Sequence, residues 1–204
     1  PTTVEIPKEK WTGQVREVTL GATSANGGTR GKEVVVGGET TLPFLHFEGS
    51  MPHRPVVAIE IQDRAPDWPA PLAGAWGDAL NDPAAWAKKA EEIGADLILL
   101  KLNLNGEDSA NGARAAKTVK EVLAATTLPL IVRGPGQAEA DNAMIVPVCE
   151  AAAGERIAVG LCEDKNYRTI VAAALANGQL VIASSPIDVN LAKQLNILIS
   201  DMRL

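Results

Sequence analysis

The sequence predicts an α/β protein built around a parallel β-sheet, and three features of the chain support that fold class. From Pro55 onward, five short apolar runs alternate with five longer segments of helical composition. The first run, Val56–Gln62, is apolar at nearly every position, which is typical of a strand buried on both faces. Segments rich in glycine, proline and asparagine separate the runs and indicate turns.

The residues before this repeat predict an arm, a hairpin and a connector. Two short β-runs flank the glycine-rich segment 25–31, so we expect a β-hairpin there. The connector that follows holds Phe44 and Phe47, and we expect both rings to pack against the core because aromatic residues are scarce in this chain. The pattern divides the chain into a loose arm at 1–13 that Trp11 anchors, a hairpin with an aromatic connector at 14–54, and the βα repeat at 55–204.

The later units of the repeat follow the same scheme. Asp82 and Pro83 predict the start of the first helix, over 84–93, and Gly94 predicts its end. Pro147 falls inside the third helical segment, so we expect either a kink there or a helix that starts near Pro147. The remaining strands are predicted at 96–102, 128–132, 157–161 and 180–183. The last helix, from Asp188 or Asn190, presents an apolar stripe made of Leu191, Leu195, Leu198, Ile199 and Met202.

Five units of this kind fit two architectures. An open doubly wound sheet is complete with five strands. A TIM, or (β/α)8, barrel needs eight units and about 250 residues, so the chain would supply its first five units. The count of units alone favours the open sheet.

Several long motifs resemble those of a known family, and this resemblance reverses the preference for the open sheet. They are the segment 37–63, the tetrapeptide PDWP at 66–69, Asp82-Pro83, Asn166-Tyr167 and the segment SPIDVNLAKQLNIL at 185–198. On these motifs the chain resembles the small subunit of the corrinoid iron–sulfur protein, in the family of the acetyl-CoA decarbonylase/synthase delta subunit. The resemblance covers nearly the whole chain after residue 13. It implies a TIM barrel with an N-terminal β-hairpin, and it implies that the 204 residues are a fragment of that barrel.

The resemblance also implies a function in the reductive acetyl-CoA pathway. The chain would form a heterodimer with the large corrinoid iron–sulfur subunit, which carries the cluster and most of the corrinoid site. Cobalamin would lie at the subunit interface, and this chain would scaffold and cap it rather than supply catalytic groups. The methyl group would come from methyltetrahydrofolate through a methyltransferase and pass to acetyl-CoA synthase. Two alternatives stay open: a pterin-dependent methyltransferase barrel and a flavodoxin-like regulatory domain.

Composition limits the remaining function classes. The net charge is −6 and the basic residues are scattered, which argues against nucleic-acid binding. No apolar run reaches about 18 residues, so we expect no membrane-spanning helix. Cys149 and Cys162 have no metal-binding spacing, so we expect this chain to bind no metal or cluster. Unpaired cysteines are also typical of a reduced, cytoplasmic protein.

The candidate site lies at the carboxyl ends of the predicted strands, where parallel sheets and barrels bind ligands. The residues expected to line it are Asp63, Lys101, Asn103, Arg133, Gly134, Gly136, Asn166, Ser184, Ser185 and Asp188. Each also has a structural interpretation.

Asp63 fits a loop cap, Lys101 fits an ion pair with Glu60 or Asp63, and the two glycines fit a tight turn. Both histidines of the chain precede the first strand, so no histidine is expected at this rim to activate a serine, and the pattern predicts no catalytic residues.

Overall fold

The protein, described here by a computed structural model over residues 4–104, 106 and 109–203, contains a small antiparallel sheet and a larger parallel one. The small sheet pairs β1 (Val18–Leu20) with β2 (Val34–Val36), which confirms the predicted hairpin. The strands of the large sheet are β3 (Ala58–Gln62), β4 (Leu97–Lys101), β5 (Leu130–Arg133), β6 (Ala158–Cys162) and β7 (Leu180–Ala183). The helices are α1 (Ala70–Trp76), α2 (Pro83–Glu92), α3 (Gly112–Ala125), α4 (Ala138–Ala151), α5 (Tyr167–Asn177) and α6 (Val189–Asp201).

The large sheet is parallel throughout, and its strands lie in chain order from β3 to β7. Each helix from α2 to α6 packs on the next one, so the five helices form one layer on one face of the sheet. Ile61, Leu100 and Val132 point into that layer and are fully buried. The predicted α/β class with a five-stranded parallel sheet is therefore confirmed.

We call the other side of the sheet the open face. The hairpin covers its amino end, where Leu20 and Val34 pack against Leu97 and Ala158. Among the described residues β3 and β7 are the two edges of the sheet, and the sheet does not close into a barrel. This arrangement is consistent with the open-sheet alternative. No helix in the described part of the chain combines the length and the apolar character needed to cross a membrane.

Short polar side chains start the helices, as the sequence predicted. Asp82 accepts a hydrogen bond from the backbone N–H of Ala84 at 2.9 Å, and Pro83 occupies the first position of α2. Gly94, just beyond the end of α2, has a φ of 96°, which a side chain would disfavour. Asp188 caps α6 in the same way as Asp82 caps α2.

The prediction of a helix starting near Pro147 is wrong, because α4 continues through this proline. Pro147 has no N–H to donate to the carbonyl group of Ala143, so that carbonyl lacks its helical partner. The N-terminus of α3 packs directly on this position. A side chain at Gly112 would place its Cβ 2.5 Å from the Ala143 oxygen and 2.7 Å from Pro147 Cγ. The close packing of two helices therefore holds a proline-containing helix in place, and sequence pattern alone does not reveal it.

Three predictions of burial are wrong or only partly met. Phe44 is 72 % exposed and Phe47 is 37 % exposed, because the connector runs along the surface and the core is filled by aliphatic side chains and by tryptophan. Strand β3 is not buried on both faces, since it is an edge strand and Ala58 and Glu60 lie exposed on the open face. The stripe of α6 is buried only in part: the buried members are Leu195 and Ile199, whereas Leu198 is exposed.

Arg30, at the end of the hairpin loop, joins three segments at the amino end of the sheet. Its side chain is buried, and Nε donates a hydrogen bond to Glu155 Oε2 at 2.7 Å. Its Nη1 donates to the carbonyl oxygens of Thr126 and Leu128, and Nη2 donates to that of Leu123 at 2.6 Å. One guanidinium group thus connects the hairpin with the end of α3 and with the loop before β6.

We predict that Arg30→Met lowers the free energy of unfolding by about 3–5 kcal/mol, because it leaves the Glu155 carboxylate buried without its partner. The measurement is urea denaturation followed by circular dichroism. Lys32→Met is the matched control, since Lys32 is largely exposed and its Nζ lies 4.0 Å from Asp96; its expected cost is below about 1 kcal/mol. Equal losses in the two variants would contradict this account of Arg30.

Candidate functional site

A polar cleft opens at the carboxyl ends of β3 and β4, and we call it the rim cleft. Its volume is about 400 Å³. The polar and aromatic side chains that line it are Gln62, Arg64, Asp67, Trp68, Lys101 and Asn103. Two larger cavities, of about 600 and 460 Å³, adjoin the β7 edge and the open face. Residues of the hairpin, including Val18, line both of those cavities, whereas the rim cleft lies at the carboxyl ends of the strands and is the better candidate for a ligand site.

Asp63 lies behind the rim cleft and holds its wall. Asp63 Oδ1 accepts hydrogen bonds from the backbone N–H of Asn103 at 3.0 Å and from its Nδ2 at 2.8 Å. Asp63 Oδ2 lies 2.8 Å from Nη1 of Arg114, whose Nη2 donates to the carbonyl oxygen of Asn103 at 2.7 Å. Because the Asp63 side chain is only 1 % exposed, it positions Asn103 and has little surface for a ligand. The structural interpretation of Asp63 is therefore favoured, and sequence reasoning did not identify Arg114.

Trp68 forms one wall of the rim cleft and is fixed to the protein core. Its ring packs edge-on against the fully buried Trp86, with ring centroids 5.4 Å apart. Trp76 also packs against Trp86, with ring centroids 5.9 Å apart. Lys89 Nζ donates to the carbonyl oxygens of Ala75 and Trp76 and so secures the end of α1. The long loop after β3 is thus an ordered segment that holds a half-buried indole at the rim.

Lys101 and Arg133 form a pair of cations on the open face. They are register partners on β4 and β5, and their neighbours Leu100 and Val132 point into the helix layer. Side chains alternate along a strand, so both cations point to the open face. Arg133 Nη1 lies 3.9 Å from Glu60 Oε2.

The predicted ion pair of Lys101 with Glu60 or Asp63 is therefore wrong for the described residues. Glu60 pairs with Arg133 instead, and Asp63 pairs with Arg114.

The glycine turn after β5 is closed by the carboxylate of Asp141. The backbone N–H of Gly136 donates to Asp141 Oδ1 at 3.1 Å, and a Cβ at Gly134 would lie 2.1 Å from the same oxygen. This carboxylate occupies the place that a bound anion would take, so the tight-turn interpretation is favoured. Burial raises the pKa of Asp141 to about 6; the Gly136 N–H opposes the rise, Glu163 adds to it and Arg133 opposes it.

The remaining predicted residues hold loops away from the rim cleft. The buried Asn166 accepts a hydrogen bond from the N–H of Glu163 at 2.7 Å and donates to the carbonyl oxygen of Leu161. The N–H of Ser184 donates to the carbonyl oxygen of Cys162, and Ser185 lies half-buried beside it. Of the ten predicted residues, the structure brings only Lys101 and Asn103 into the cleft, with Arg133 beside Lys101.

Neither the cysteines nor the histidines of this chain line the rim cleft. Burial raises the pKa of both Cys149 and Cys162 to about 12, so each thiol stays protonated at neutral pH. In the described ranges, no three histidine, cysteine, aspartate or glutamate side chains come together as metal ligands. His53 lies at the amino end, where its Nε2 is 2.7 Å from Glu17. The cleft can therefore hold a polar ligand through amide, cationic and indole groups.

The ten residues predicted for the site did not include three residues of the loop after β3 that line the rim cleft: Arg64, Asp67 and Trp68. The signal was present in the motif PDWP and in the length of the loop after β3. Loops longer than their connection requires are often functional.

Protonation of Asp141 should change the stability of the fold with pH. Its pKa is higher in the folded than in the unfolded chain, so its contribution is fully present below about pH 4 and is lost as the pH rises through about 6. We expect Asp141→Asn to raise the free energy of unfolding at pH 8 by about 1–3 kcal/mol and to have little effect at pH 4. Chemical denaturation at both pH values measures this difference. Asp78→Asn, at an exposed position, is the control; an equal response of both variants would refute a special role of Asp141.

Comparison with known proteins points to one family. A family model described as CO dehydrogenase/acetyl-CoA synthase delta subunit matches residues 17–203. The acetyl-CoA decarbonylase/synthase complex subunit delta of Archaeoglobus fulgidus is 37 % identical over 93 % of this chain and 43 % of its own length. The corresponding subunit delta 1 of Methanosarcina thermophila is 35 % identical over 92 % of this chain and 44 % of its own length. The subunit delta of Methanopyrus kandleri is 35 % identical over 90 % of this chain and 47 % of its own length. The chain thus spans a little under half the length of these relatives.

Proposed function

Because the chain belongs to the CO dehydrogenase/acetyl-CoA synthase delta subunit family, we propose that it is a scaffolding subunit of a cytoplasmic methyl-transfer complex. Its partner is a large corrinoid iron–sulfur subunit that carries cobalamin, and the rim cleft faces that cofactor across the subunit interface. The methyl group comes from methyltetrahydrofolate through a methyltransferase and is passed to acetyl-CoA synthase. When bound, the corrinoid supplies the cobalt that carries the methyl group.

The observation that carries this proposal is the polar and rigid rim cleft. A corrin ring bears amide side chains around its edge, and these need hydrogen-bond partners when a protein surface covers them. Gln62, Asn103 and Lys101 offer amide and ammonium groups at the cleft, and Trp68 adds a flat apolar wall. Asp63 and Arg114 hold Asn103 in place, so the surface is formed before the partner binds.

A capping role also fits the chemistry that the described rim offers. The two histidines lie in the connector, at the end of the sheet opposite the rim cleft, and the Asp141 carboxylate already accepts a backbone hydrogen bond. The groups at the cleft bind and orient a ligand. Among the described residues, these groups do not form a nucleophile paired with a general base.

We further propose that the sheet is part of a (β/α)8 barrel in the whole subunit. The strands follow chain order, and the helices form one layer, as in consecutive units of such a barrel. The amino half of the open face is apolar and lines a cavity of about 460 Å³. Apolar surface of this kind is normally covered, and three further units would cover it.

Association with the large subunit tests the capping role. We expect the chain to bind the corrinoid-loaded large subunit and to change the visible absorption spectrum of the corrinoid. Trp68→Ala should weaken this association by about 2 kcal/mol, because half-buried indoles at interfaces are frequent hot spots. Isothermal titration calorimetry gives the affinity, and His53→Ala, at the opposite end of the sheet, is the control.

Binding of methyltetrahydrofolate by the isolated chain would count against the capping role. Micromolar affinity for that compound, together with no binding to the large subunit, would favour the pterin-dependent methyltransferase instead.

Dye binding tests the barrel proposal. We expect the 204-residue chain to bind 8-anilinonaphthalene-1-sulfonate on its open face. Ile182→Asn should reduce the dye fluorescence because Ile182 lines the open-face cavity. Leu175→Asn is the matched control, since Leu175 is 41 % exposed and Ile182 is 40 % exposed but only Ile182 lies at the cavity. A chain that binds no dye would show that its open face is already covered.

A further inference from the structure

The carboxyl half of the open face carries a row of side chains that can donate hydrogen bonds. Gln62, Lys101 and Arg133 are consecutive register partners on β3, β4 and β5, so their side chains stand side by side. Neighbouring strands lie about 4.8 Å apart, which places the two cationic side chains within reach of one small group. We call these three residues the donor row. Lys101 also lines the rim cleft, so the row continues directly from the cleft.

The donor row ends beside a glycine on the next strand. The register partner of Arg133 on β6 is Gly160, which has no side chain to cover the row. Gly160 lies next to Val159, which points into the helix layer, so the missing side chain would be on the open face. A glycine inside a strand often marks a place where another group approaches the backbone closely.

The donors of the row are incompletely used within the described residues. Arg133 Nε is buried and has no hydrogen-bond partner there. Its Nη1 lies 3.9 Å from Glu60, too far for a direct hydrogen bond. No described carboxylate lies within 4.0 Å of Lys101 Nζ. Buried donors are normally satisfied, so an unpartnered Nε on a guanidinium group calls for an acceptor.

We propose that Lys101 and Arg133 bind an oxyanion, the phosphate or carboxylate group of a ligand whose remaining part lies in the rim cleft. A guanidinium group offers paired donors that match the oxygens of either group, and an ammonium group adds a point charge. The row carries two cations. Among the described strand positions of the open face, the only carboxylate is that of Glu60, two residues before Gln62 on β3. The proposal concerns this chain alone and does not depend on the corrinoid or on the large subunit.

The surrounding carboxylates set the conditions for binding. Glu60 competes for Arg133 from one side. On the other side Asp141 and Glu163 lie near the end of β5, and Asp141 interacts electrostatically with both Arg133 and Glu163. Removal of the Glu60 charge should therefore strengthen oxyanion binding, whereas a purely structural Glu60–Arg133 pair predicts no such gain.

The test is a titration of the 204-residue chain with two probes, inorganic phosphate and glutarate, at low ionic strength. The ¹⁵N nuclear magnetic resonance signal of the Arg133 Nε–H group reports binding directly, and we expect it to shift saturably. Lys101→Met should weaken binding at least about tenfold, because a charge-assisted hydrogen bond is lost. Lys120→Met removes an exposed lysine from α3 and should leave the affinity unchanged. Glu60→Gln should raise the affinity severalfold.

The two probes separate the sources of the oxyanion. Tighter binding of phosphate assigns a phosphate ester, and tighter binding of glutarate assigns a carboxylate; both support the site. The proposal is overturned if neither probe shifts the Arg133 signal saturably, if Lys101→Met and Lys120→Met bind equally well, or if Glu60→Gln brings no gain. Thermal unfolding of each variant identifies any that fails to fold, and Glu60→Gln leaves both cations of the site intact. Failure to bind the large subunit would leave this result unaffected, so the two proposals fail separately.

Discussion

The buried contact between Arg30 and Glu155 is the constraint on which the rest of the structure depends. A buried charge is tolerated only when its partner and its remaining donors are all satisfied. Arg30 meets this condition through Glu155 and through the carbonyl oxygens of Leu123, Thr126 and Leu128. These acceptors lie at the end of α3 and before β5 and β6. The hairpin therefore aligns the amino ends of strands whose opposite ends form the rim.

Strand register carries this alignment across the sheet to the candidate site. Once the amino ends are in line, parallel pairing brings Gln62, Lys101 and Arg133 into one row at the carboxyl ends. The loop after β3 then adds Trp68, whose position is set by its contact with the buried Trp86. The site is thus assembled from residues distant in sequence, and its geometry follows from sheet register and from one aromatic contact in the core.

Much of the fold follows from local pattern, and much of the site does not. Apolar runs and helix caps such as Asp82 predicted the strands and the helices α2 to α6, but not the short helix α1, because those signals act over a few residues. The position of the rim was predictable because the carboxyl ends of parallel strands lie at the same edge of the sheet. The pairing of carboxylates with cations was not predictable, because Asp63 contacts Arg114 only after α3 packs on the sheet. The exposure of Phe44 has the same origin, since it depends on which segment covers the core.

The open face divides into two halves of opposite polarity, and this division limits what can cover it. Its amino half presents Ala58, Leu97 and Ile131, for which protein side chains are the suitable neighbours. Its carboxyl half presents Lys101 and Arg133. An apolar covering there would bury two cations against one carboxylate, and the desolvation cost would exceed any packing gain. Whatever covers the carboxyl half must therefore bring acceptors or negative charge. A barrel interior would leave that half open to its mouth, where a polar, anionic ligand can enter.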